Sequence, residues 1–417
     1  MDAMAAPTPA DVLVLSNYYF PEPTGSAPPI SDLSFWLAEN GVKTGVLTAR
    51  PSYPQAAVFD GYRRGERDAE VLRGVAVRRL WTHVGASRGL IGRLLGEFSF
   101  IVTALWARAL GTAPRARHVI CVCPSIFTVV IAGLFRGRGG RVLCIVHDIQ
   151  SGLAQALGFG GGKLALRLLR GVEVWALNRC DVVVALSEGM AGALRGMGVA
   201  APIIILPPQV DVSEIIPVPE PAAEPPVLLY SGNLGRKQGL DQLITLAASL
   251  SAQGCKARIV IRGEGSEREE LERAAREAGV EGIVFLDLAR REDLSAVMGE
   301  AVLHLVPQRP DGASFAVPSK IFSIMAAERA FVATAQPDTP LWRFTADSGA
   351  GVCVEPYDAQ ALAQAVIALL ADPGERRRMA ASGRRYVEQF IDREVVCRAM
   401  WEALEASSAE LAGPGRG

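Results

Sequence analysis

The sequence predicts an α/β protein built from two doubly wound domains with mainly parallel sheets. Short apolar runs rich in β-branched residues alternate with amphipathic helical patterns along most of the chain. These runs are apolar on both faces, which is typical of parallel strands that are covered by helices on both sides. A proline-rich stretch interrupts the alternation once, and the 417 residues, half of them hydrophobic, suffice for two separate cores.

The first half of the chain predicts an N-terminal domain over residues 1–210. Helical patterns such as Ile30–Asn40 separate its apolar runs. The segment 211–226 that follows has no periodic pattern and many prolines, so we predict a stiff linker there. The predicted strands are Val12–Ser16, Thr44–Thr48, Val75–Leu80, His118–Cys123, Arg141–Val146, Val182–Leu186 and Ile203–Leu206.

The second half predicts a C-terminal domain over residues 227–383. Its predicted strands are Val227–Ser231, Arg258–Arg262, Ile283–Leu286, Val302–Val306, Phe331–Ala335 and Gly351–Val354, and its predicted helices include Leu240–Gln253, Ser266–Ala278 and Ala359–Leu370. The remaining segment, 384–417, carries a helical pattern over Arg384–Ala406 with no strand after it. We expect this last helix to pack back onto the first domain.

Composition excludes several classes of protein. A net charge of −1 argues against a nucleic-acid-binding protein, which would show a basic surface. The seven cysteines form no metal or disulfide framework, and Cys121 and Cys123 lie in an apolar run, so we predict that they are small buried hydrophobic residues. Neither a signal peptide nor a transmembrane segment is predicted, so we expect a cytoplasmic protein.

The turn after the strand Val227–Ser231 predicts an anion site. Ligands of open α/β sheets bind where the carboxyl ends of the strands meet. Here Gly232 and Asn233 begin a turn that carries Arg236 and Lys237, which we predict to lie at the start of the next helix. Cations in that position oppose the helix dipole at a cost of about 0.3–1 kcal/mol each, whereas a bound diphosphate would make them favourable. The alternative is a glycine turn with solvated charges.

Two further strand ends support an anion site. Gly263-Glu264-Gly265 follows a strand and precedes a helix, a weak signal alone but correctly placed to contact a base or ribose. Pro318-Ser319-Lys320 precedes the helical pattern Ile321–Ala327; Ser319 is the predicted N-cap, and Lys320 supplies a cation. Three such strand ends in one domain predict a nucleoside-diphosphate site.

The same motifs resemble a known family. SGNLGRKQGL, RGEG, VPSKIFSIMAAERAFVATA and SGAGVCVEPYDAQALAQAV, in this order, resemble the C-terminal domain of retaining GT-B glycosyltransferases of family 4, especially enzymes of colanic-acid, capsule and O-antigen assembly. The stretch SNYYFPEPTGSAPPISDLSFWLAENGVKTGVLTARPSYP resembles their N-terminal strand, loop and helix. The resemblance covers about residues 11–395. It implies two Rossmann-like domains facing across a cleft and sugar transfer, with retention, from a nucleotide-sugar donor to a saccharide or polyprenyl-diphosphate-saccharide acceptor.

The resemblance also implies roles for individual residues. Arg236, Lys237 and Lys320 would offset the charge that develops on the leaving diphosphate. His147 would face the transferred sugar with Asp148 beside it, although His147 could equally be a structural histidine at a strand end. The expected donor-binding residues are Gly25, Ser26, Gly232, Asn233, Gly263, Glu264, Pro318, Ser319, Lys320 and Ser323.

Two positions depart from the family pattern. Where many relatives have a glutamate that contacts ribose hydroxyls, this chain has Ser323. The resemblance therefore does not imply a ribose-binding carboxylate at this position. An arginine common after the first glycine is replaced by Asn233, so the phosphate-binding cations would have to be Arg236, Lys237 or Lys320. We expect neither a metal ion nor a cofactor, because no residues have the spacing of metal ligands.

Two other functions remain open at this point. A nucleotide-sugar 2-epimerase of the same architecture would bind the same donor but would need carboxylate acid–base partners and no acceptor. A two-domain binding protein without catalysis is the third possibility. Transfer is favoured over epimerisation by the apolar and basic segment Ser87–Ala107.

This segment also suggests contact with a membrane. Ser87–Ala107 combines arginines with apolar residues such as Phe98 and Trp106, which would form the apolar side of a helix on the membrane surface. A second basic stretch covers Lys163–Arg179. We expect a peripheral location on the inner face of the cell membrane. The alternative is that both segments are ordinary helices packed on the first domain.

Overall fold

The computed structural model describes residues 10–23, 25–53, 57–84, 90–123, 125–149, 162–222, 224–310 and 317–406. The chain forms two compact units. The first comprises Met1–Pro207 and Val396–Gly417, and the second comprises Pro208–Val395. In the described ranges, no helix is both long enough and apolar enough to cross a bilayer.

The first unit is built on a doubly wound eight-stranded sheet with the order β3-β4-β2-β1-β5-β6-β7-β8. All neighbouring strands are parallel except β3 and β4, which are antiparallel. The strands are β1 (Ala10–Leu15), β2 (Thr44–Ala49), β3 (Ala69–Leu72), β4 (Val75–Leu80), β5 (Ala116–Cys123), β6 (Val142–Val146), β7 (Val182–Ala185) and β8 (Ile203–Ile205). The helices are α1 (Ala27–Glu39), α2 (Leu90–Ala109), α3 (Ile126–Phe135), α4 (Gly162–Leu177) and α5 (Glu188–Met197).

The edge strand β3 was not predicted. Its four residues, AEVL, lack the continuous apolar character of the other strands, because β3 lies at the edge of the sheet and is partly exposed. Arg73 and Gly74, both with positive φ, form the tight turn to β4.

The centre of this sheet contains three converging cysteines. The Sγ atoms of Cys121, Cys144 and Cys180 lie within 4.8 Å of one another, and all three thiols are buried and free. Cys121 and Cys144 are register partners on β5 and β6. Cys123 is also buried, so the prediction of buried hydrophobic cysteines is confirmed for both Cys121 and Cys123. Their proximity to other cysteines depends on strand order, which the spacing of cysteines in the sequence does not reveal.

The second unit is built on a six-stranded, entirely parallel sheet with the order β11-β10-β9-β12-β13-β14. The strands are β9 (Val227–Ser231), β10 (Arg258–Arg262), β11 (Ile283–Leu286), β12 (Leu303–Val306), β13 (Phe331–Thr334) and β14 (Gly351–Val354). The helices are α6 (Asp241–Ala252), α7 (Arg268–Glu277), α8 (Leu294–Gly299), α9 (Lys320–Ala326), α10 (Pro340–Ser348), α11 (Ala359–Ala371) and α12 (Pro373–Phe390). The predicted doubly wound α/β fold class is confirmed for both units.

The predicted linker, residues 211–226, belongs to the second unit rather than standing apart from it. Several arginines anchor it. Arg329 Nη2 donates to the carbonyl oxygen of Val218 (3.0 Å), Arg384 Nη1 donates to that of Ile215 (3.0 Å), and Arg376 Nε donates to the carboxylate of Glu220 (3.1 Å). The prolines of this segment cannot donate hydrogen bonds to a neighbouring strand, and side-chain donors bind some of its carbonyl groups instead.

The predicted C-terminal helix Arg384–Ala406 is two helices. The helix α12 packs against α9 of the second unit, and α13 (Arg393–Glu405) follows after a break at Ile391 and Asp392. The break is stabilised by hydrogen bonds from Val210 N to Ile391 O and from Val212 N to an Asp392 carboxylate oxygen. Apolar residues of α13 enter the core cluster of the first unit; they are Val396, Cys397, Met400, Ala403 and Leu404.

Candidate active site

At the carboxyl edge of the second unit's sheet, the loops after β9 and β10 interlock through their backbones. Gly232 N donates to Arg262 O (2.9 Å), and Leu234 N donates to Glu264 O (2.8 Å). A third bond runs from Glu267 N to Leu234 O (2.9 Å). These bonds fix the two loops as one layer above the strand ends, independently of any side chain.

The glycines of the second loop are required by this contact. Gly263 has a φ of +155°, and a Cβ there would overlap the carbonyl oxygen of Gly232. Gly265 has a φ of +156°, and a Cβ there would overlap the backbone of Leu234. The close approach that the Gly-x-Gly pattern permits is therefore an approach to the neighbouring loop. The expected contact of Gly263 and of the exposed Glu264 with a nucleotide stays a prediction.

Arg236 and Lys237 lie between β9 and the predicted helix Leu240–Gln253, at the entrance to that helix. They form a separate 3₁₀ turn, Arg236–Gln238, which ends at Gly239 in the left-handed conformation (φ +59°). The helix α6 begins only at Asp241, whose carboxylate suits the positive end of the helix dipole. Both cationic side chains are exposed, and neither has an ion pair or hydrogen bond with any residue that the structure describes. Two uncompensated cations therefore lie above the end of β9.

Lys320 is brought to the same strand end from another loop. It is the first residue of α9, and its Nζ lies 3.7 Å from the centroid of the Tyr230 ring, a cation–π contact. A Cβ on Gly232 would lie only 2.9 Å from this Nζ, so the absence of a side chain at Gly232 leaves room for the ammonium group. Burial lowers the pKa of Lys320 to about 7.

The residues around Lys320 differ in part from expectation. Ser319 occupies the predicted N-cap position of α9, but its side chain makes no capping hydrogen bond. The reason is its αR conformation, since an N-cap side chain usually bonds from an extended residue. Pro318 precedes it, and Ser323, partly buried, lies one turn after Lys320 on the same helix. Asn233 is exposed, and its carbonyl oxygen accepts a hydrogen bond from the Tyr230 hydroxyl (2.7 Å).

Sequence reasoning missed Tyr230 and Gln242. Tyr230 is the next-to-last residue of β9 and is fully buried in the core, and its ring also contacts the ammonium group of Lys320. The buried amide of Gln242 joins three strand-end loops: its Nε2 donates to Gly239 O (3.1 Å) and Gln308 O (3.3 Å), and its Oε1 accepts from Tyr357 N (2.9 Å). A glutamine in an amphipathic helix is ordinarily assigned to the solvent face, so the sequence holds no signal for this role.

The other predicted residues belong to the first unit. Gly25, with a φ of +73°, and Ser26 connect β1 to α1, and Ser26 O accepts from Ile30 N without any side-chain cap. His147 and Asp148 follow β6 directly. The structure therefore groups Arg236, Lys237, Lys320 and Gly232 in one unit, and Gly25, Ser26, His147 and Asp148 at strand ends of the other.

His147 has a buried ring nitrogen that forms no hydrogen bond with any described residue. Its backbone N–H donates to Cys123 O (2.9 Å), which fixes the residue at the end of β6. Its Nε2 atom is buried and has no hydrogen-bond partner among the described residues. Burial lowers the pKa of His147 to about 4, so the imidazole is neutral near pH 7. A neutral imidazole can exchange hydrogen bonds with a sugar hydroxyl but is a poor general acid.

Comparison with known proteins identifies the family. Residues 24–209 match the family model of the glycosyl transferase 4-like domain, and residues 211–386 match that of glycosyl transferases group 1. The two matches together span most of the chain. The protein is therefore a glycosyltransferase, and it belongs to family 4 of the glycosyltransferases that have the GT-B fold. The predicted family is confirmed.

Three proteins illustrate the similarity. WcaI of Escherichia coli, described as a colanic acid biosynthesis glycosyl transferase, is 29% identical over 93% of this chain and 98% of its own. A GDP-mannose-dependent phosphatidylinositol monomannoside mannosyltransferase of Mycolicibacterium smegmatis is 28% identical over 80% of this chain and 81% of its own. The crystal structure of Anabaena HepE in complex with UDP and glucose has a TM-score of 0.69 at 16% identity, covering 95% of this chain and 100% of that one.

The interlocked loops generate a prediction on stability. Gly263→Ala should lower the urea midpoint of unfolding by an amount equivalent to about 3 kcal/mol or more, because its Cβ has no space beside the Gly232 carbonyl and φ is unfavourable for alanine. Gly192→Ala is the matched control, since it lies inside α5 with nothing within 4 Å of the added methyl group. The control should be neutral or more stable by less than about 1 kcal/mol. A Gly263→Ala protein that unfolds like the wild type would contradict the interlocked arrangement.

Proposed function

We propose that the protein transfers a sugar, with retention, from a nucleoside-diphosphate sugar to a saccharide acceptor, itself lipid-linked, during assembly of a bacterial surface polysaccharide. The observation that carries the proposal is the group of three cations, Arg236, Lys237 and Lys320, around the end of β9 in a chain of this family. UDP bound to HepE and the colanic-acid role in the description of WcaI support it. The lipid-containing substrate in the name of the mycobacterial relative supports a lipid-linked acceptor.

In this proposal the chemistry is electrostatic. As the bond between the sugar and the diphosphate breaks, negative charge develops on the leaving group, and cations fixed in advance stabilise it. A nearby diphosphate raises the pKa of Lys320 and holds it as an ammonium ion, while the exposed Arg236 and Lys237 contribute charge without prior desolvation. His147 hydrogen-bonds a sugar hydroxyl, and a diphosphate oxygen accepts the proton of the acceptor hydroxyl. The reaction uses no divalent ion and no side-chain nucleophile.

A transfer assay tests this proposal. The protein is incubated with UDP- and GDP-sugars, with and without a polyprenyl-diphosphate disaccharide, in the presence of a chelator. We expect nucleoside diphosphate to appear only with the acceptor, at an unchanged rate in the chelator, and NMR of the product to show the anomeric configuration of the donor. Inversion at C2 of the donor sugar without acceptor would show the epimerase instead, and loss of turnover in the chelator would overturn the metal-free mechanism.

The state of Lys320 predicts a specific pH dependence for diphosphate binding. Because the pKa of Lys320 is about 7 in the free protein and rises when an anion binds, affinity for UDP should fall as pH rises above 7. We expect about a tenfold increase in Kd between pH 7 and 8.5, measured by titration calorimetry. Lys320→Arg, which stays charged, should bind with little dependence on pH, and Lys320→Met should bind weakly at every pH. A flat profile in the wild type would remove Lys320 from the diphosphate site.

We also propose that the first unit contacts an anionic membrane through α2, α3 and α4. Helix α3 packs against both α2 and α4. The cations Arg108 and Arg179 lie over the rings of Phe135 and Trp175, at 5.9 and 4.4 Å. Residues 87–89 of the predicted contact segment, with Arg88, lie outside the described residues, as does the side chain of Arg93. Among the described side chains, the large exposed apolar residues of the three helices are Leu95, Phe98, Val102, Leu105 and Trp106 on α2, Leu134 on α3, and Leu168, Val172 and Trp175 on α4.

Sedimentation with vesicles tests this contact. The wild type should sediment with phosphatidylglycerol vesicles and much less with phosphatidylcholine vesicles, because both apolar insertion and anionic charge contribute to binding. The double variant Phe98→Glu/Trp106→Glu should lose most of this binding. Val71→Glu is the control, since Val71 is 73% exposed but lies on β3, away from these helices. Unchanged sedimentation of the double variant would contradict the proposed surface.

A further inference from the structure

Three aromatic residues, one partly buried and two exposed, cluster at the carboxyl edge of the first unit's sheet. Tyr18 and Phe20 lie in the loop after β1, and Tyr53 lies in the loop after β2, the adjacent strand. Phe20 and Tyr53 are each 46% exposed, and the rings of Tyr18 and Tyr53 are tilted against each other with centroids 5.6 Å apart. Large apolar rings exposed at the ligand-binding edge of such a sheet indicate a ligand surface rather than a part of the core.

A buried carboxylate fixes the two loops that carry these rings. Glu22 is only 4% exposed. One of its oxygens accepts from Ser52 N (2.9 Å) and Tyr53 N (2.8 Å) in the loop after β2, and the other accepts from Tyr19 N (3.1 Å) in its own loop. Glu22 therefore ties the backbone beside Tyr18 to the backbone of Tyr53. Burial raises the pKa of Glu22, and the three N–H donors oppose that shift.

A buried guanidinium fixes the third ring. The side chain of Arg79 on β4 is fully buried and pairs with Glu70 (2.7 Å). Its Nη2 also donates to the carbonyl oxygen of Phe20 (2.8 Å), and its guanidinium lies 4.9 Å from the ring centroid of Tyr62. From the other side, Ser31 Oγ on α1 accepts from Phe20 N (2.9 Å).

The use of two buried charges points to a requirement for rigidity. Burying an ion is costly unless hydrogen bonds compensate it, so an apolar core would be the simpler way to anchor loops. Here both charges anchor backbone next to aromatic rings, of which Phe20 and Tyr53 are each about half exposed. Partly exposed rings held in fixed positions match a ligand that presents an apolar face of C–H groups among hydroxyls, which is the surface of a saccharide ring.

We infer that Tyr18 and Tyr53, supported by Glu22, form a stacking platform for a saccharide ring of the acceptor. This inference rests on the proposed function and names the part of the chain that recognises the acceptor. Glu22 is a positioning residue, because it acts through the loops and not by touching the sugar. The platform selects acceptors by the shape of a sugar face and leaves donor choice to the second unit.

The test separates acceptor from donor recognition. In the transfer assay with the polyprenyl-diphosphate disaccharide, Tyr18→Ala and Tyr53→Ala should each raise the acceptor KM about five- to tenfold, the loss expected for one aromatic contact, while donor KM and UDP affinity change less than twofold. Tyr53→Phe, which keeps the ring, should retain near-wild-type acceptor KM. Phe390→Ala is the matched control, because Phe390 is 49% exposed and pairs with Tyr386 at 5.0 Å in the second unit.

Each outcome of the experiment decides the inference. An unchanged acceptor KM in Tyr53→Ala overturns it, and so does an equal rise in acceptor and donor KM. Should Tyr18→Ala unfold, the more exposed Tyr53 decides alone. Glu22→Gln, which loses charge but not shape, should raise acceptor KM and leave UDP affinity unchanged. If the wild-type protein binds UDP but transfers sugar to no acceptor, the proposed function is wrong, and the stacking platform, which rests on it, is rejected as well.

Discussion

The contact of backbone with backbone at Gly232 and Gly263 determines the rest of the candidate donor site. Two loops that meet without side chains between them have one possible separation, because any Cβ at Gly263 would overlap the Gly232 carbonyl oxygen. The end of β9 is thereby held beside the end of β10 through hydrogen bonds alone. The same missing side chain at Gly232 leaves space for the ammonium group of Lys320. Loop geometry and cation placement therefore share one constraint.

The three cations of this site carry positive charge that is unpaired among the described residues, and the protein accommodates this charge in two different ways. Arg236 and Lys237 stay in solvent, where an unpaired charge costs little. Lys320 is desolvated, which lowers its pKa and favours the neutral amine, whereas the negative face of the Tyr230 ring favours the ammonium form. An arriving diphosphate would supply the missing negative charge at the point where the desolvated cation responds most strongly. The helix α6 begins with Asp241, whose carboxylate is favourable at the positive end of the helix dipole.

The sequence predicted most of this fold because parallel strands buried on both faces must be apolar throughout. It predicted the cores of all strands except β3, whose edge position removes that requirement. It placed Arg236 and Lys237 between the end of β9 and the following helix, but it did not predict the short 3₁₀ turn that they form before the left-handed Gly239. It identified Lys320 but missed Tyr230 and Gln242, since contacts between loops that are distant in sequence leave no local pattern. For Ser323, the family resemblance predicts the position in the helix but not the ligand group that the side chain contacts.

The two units hold their strand-end loops by different physical means. This difference matters for the proposed division of donor and acceptor recognition between them. In the second unit, glycine backbones set the loop spacing, so a substitution there changes the shape of the site itself. In the first unit, the buried side chains of Glu22 and Arg79 hold the loops while the rings of Tyr18, Phe20 and Tyr53 project from them. The anchors bind backbone groups and not the rings, so a ring can be exchanged while these hydrogen bonds are kept. A scaffold of this kind keeps the geometry of the proposed nucleotide site fixed and allows the surface proposed for the acceptor to vary one side chain at a time.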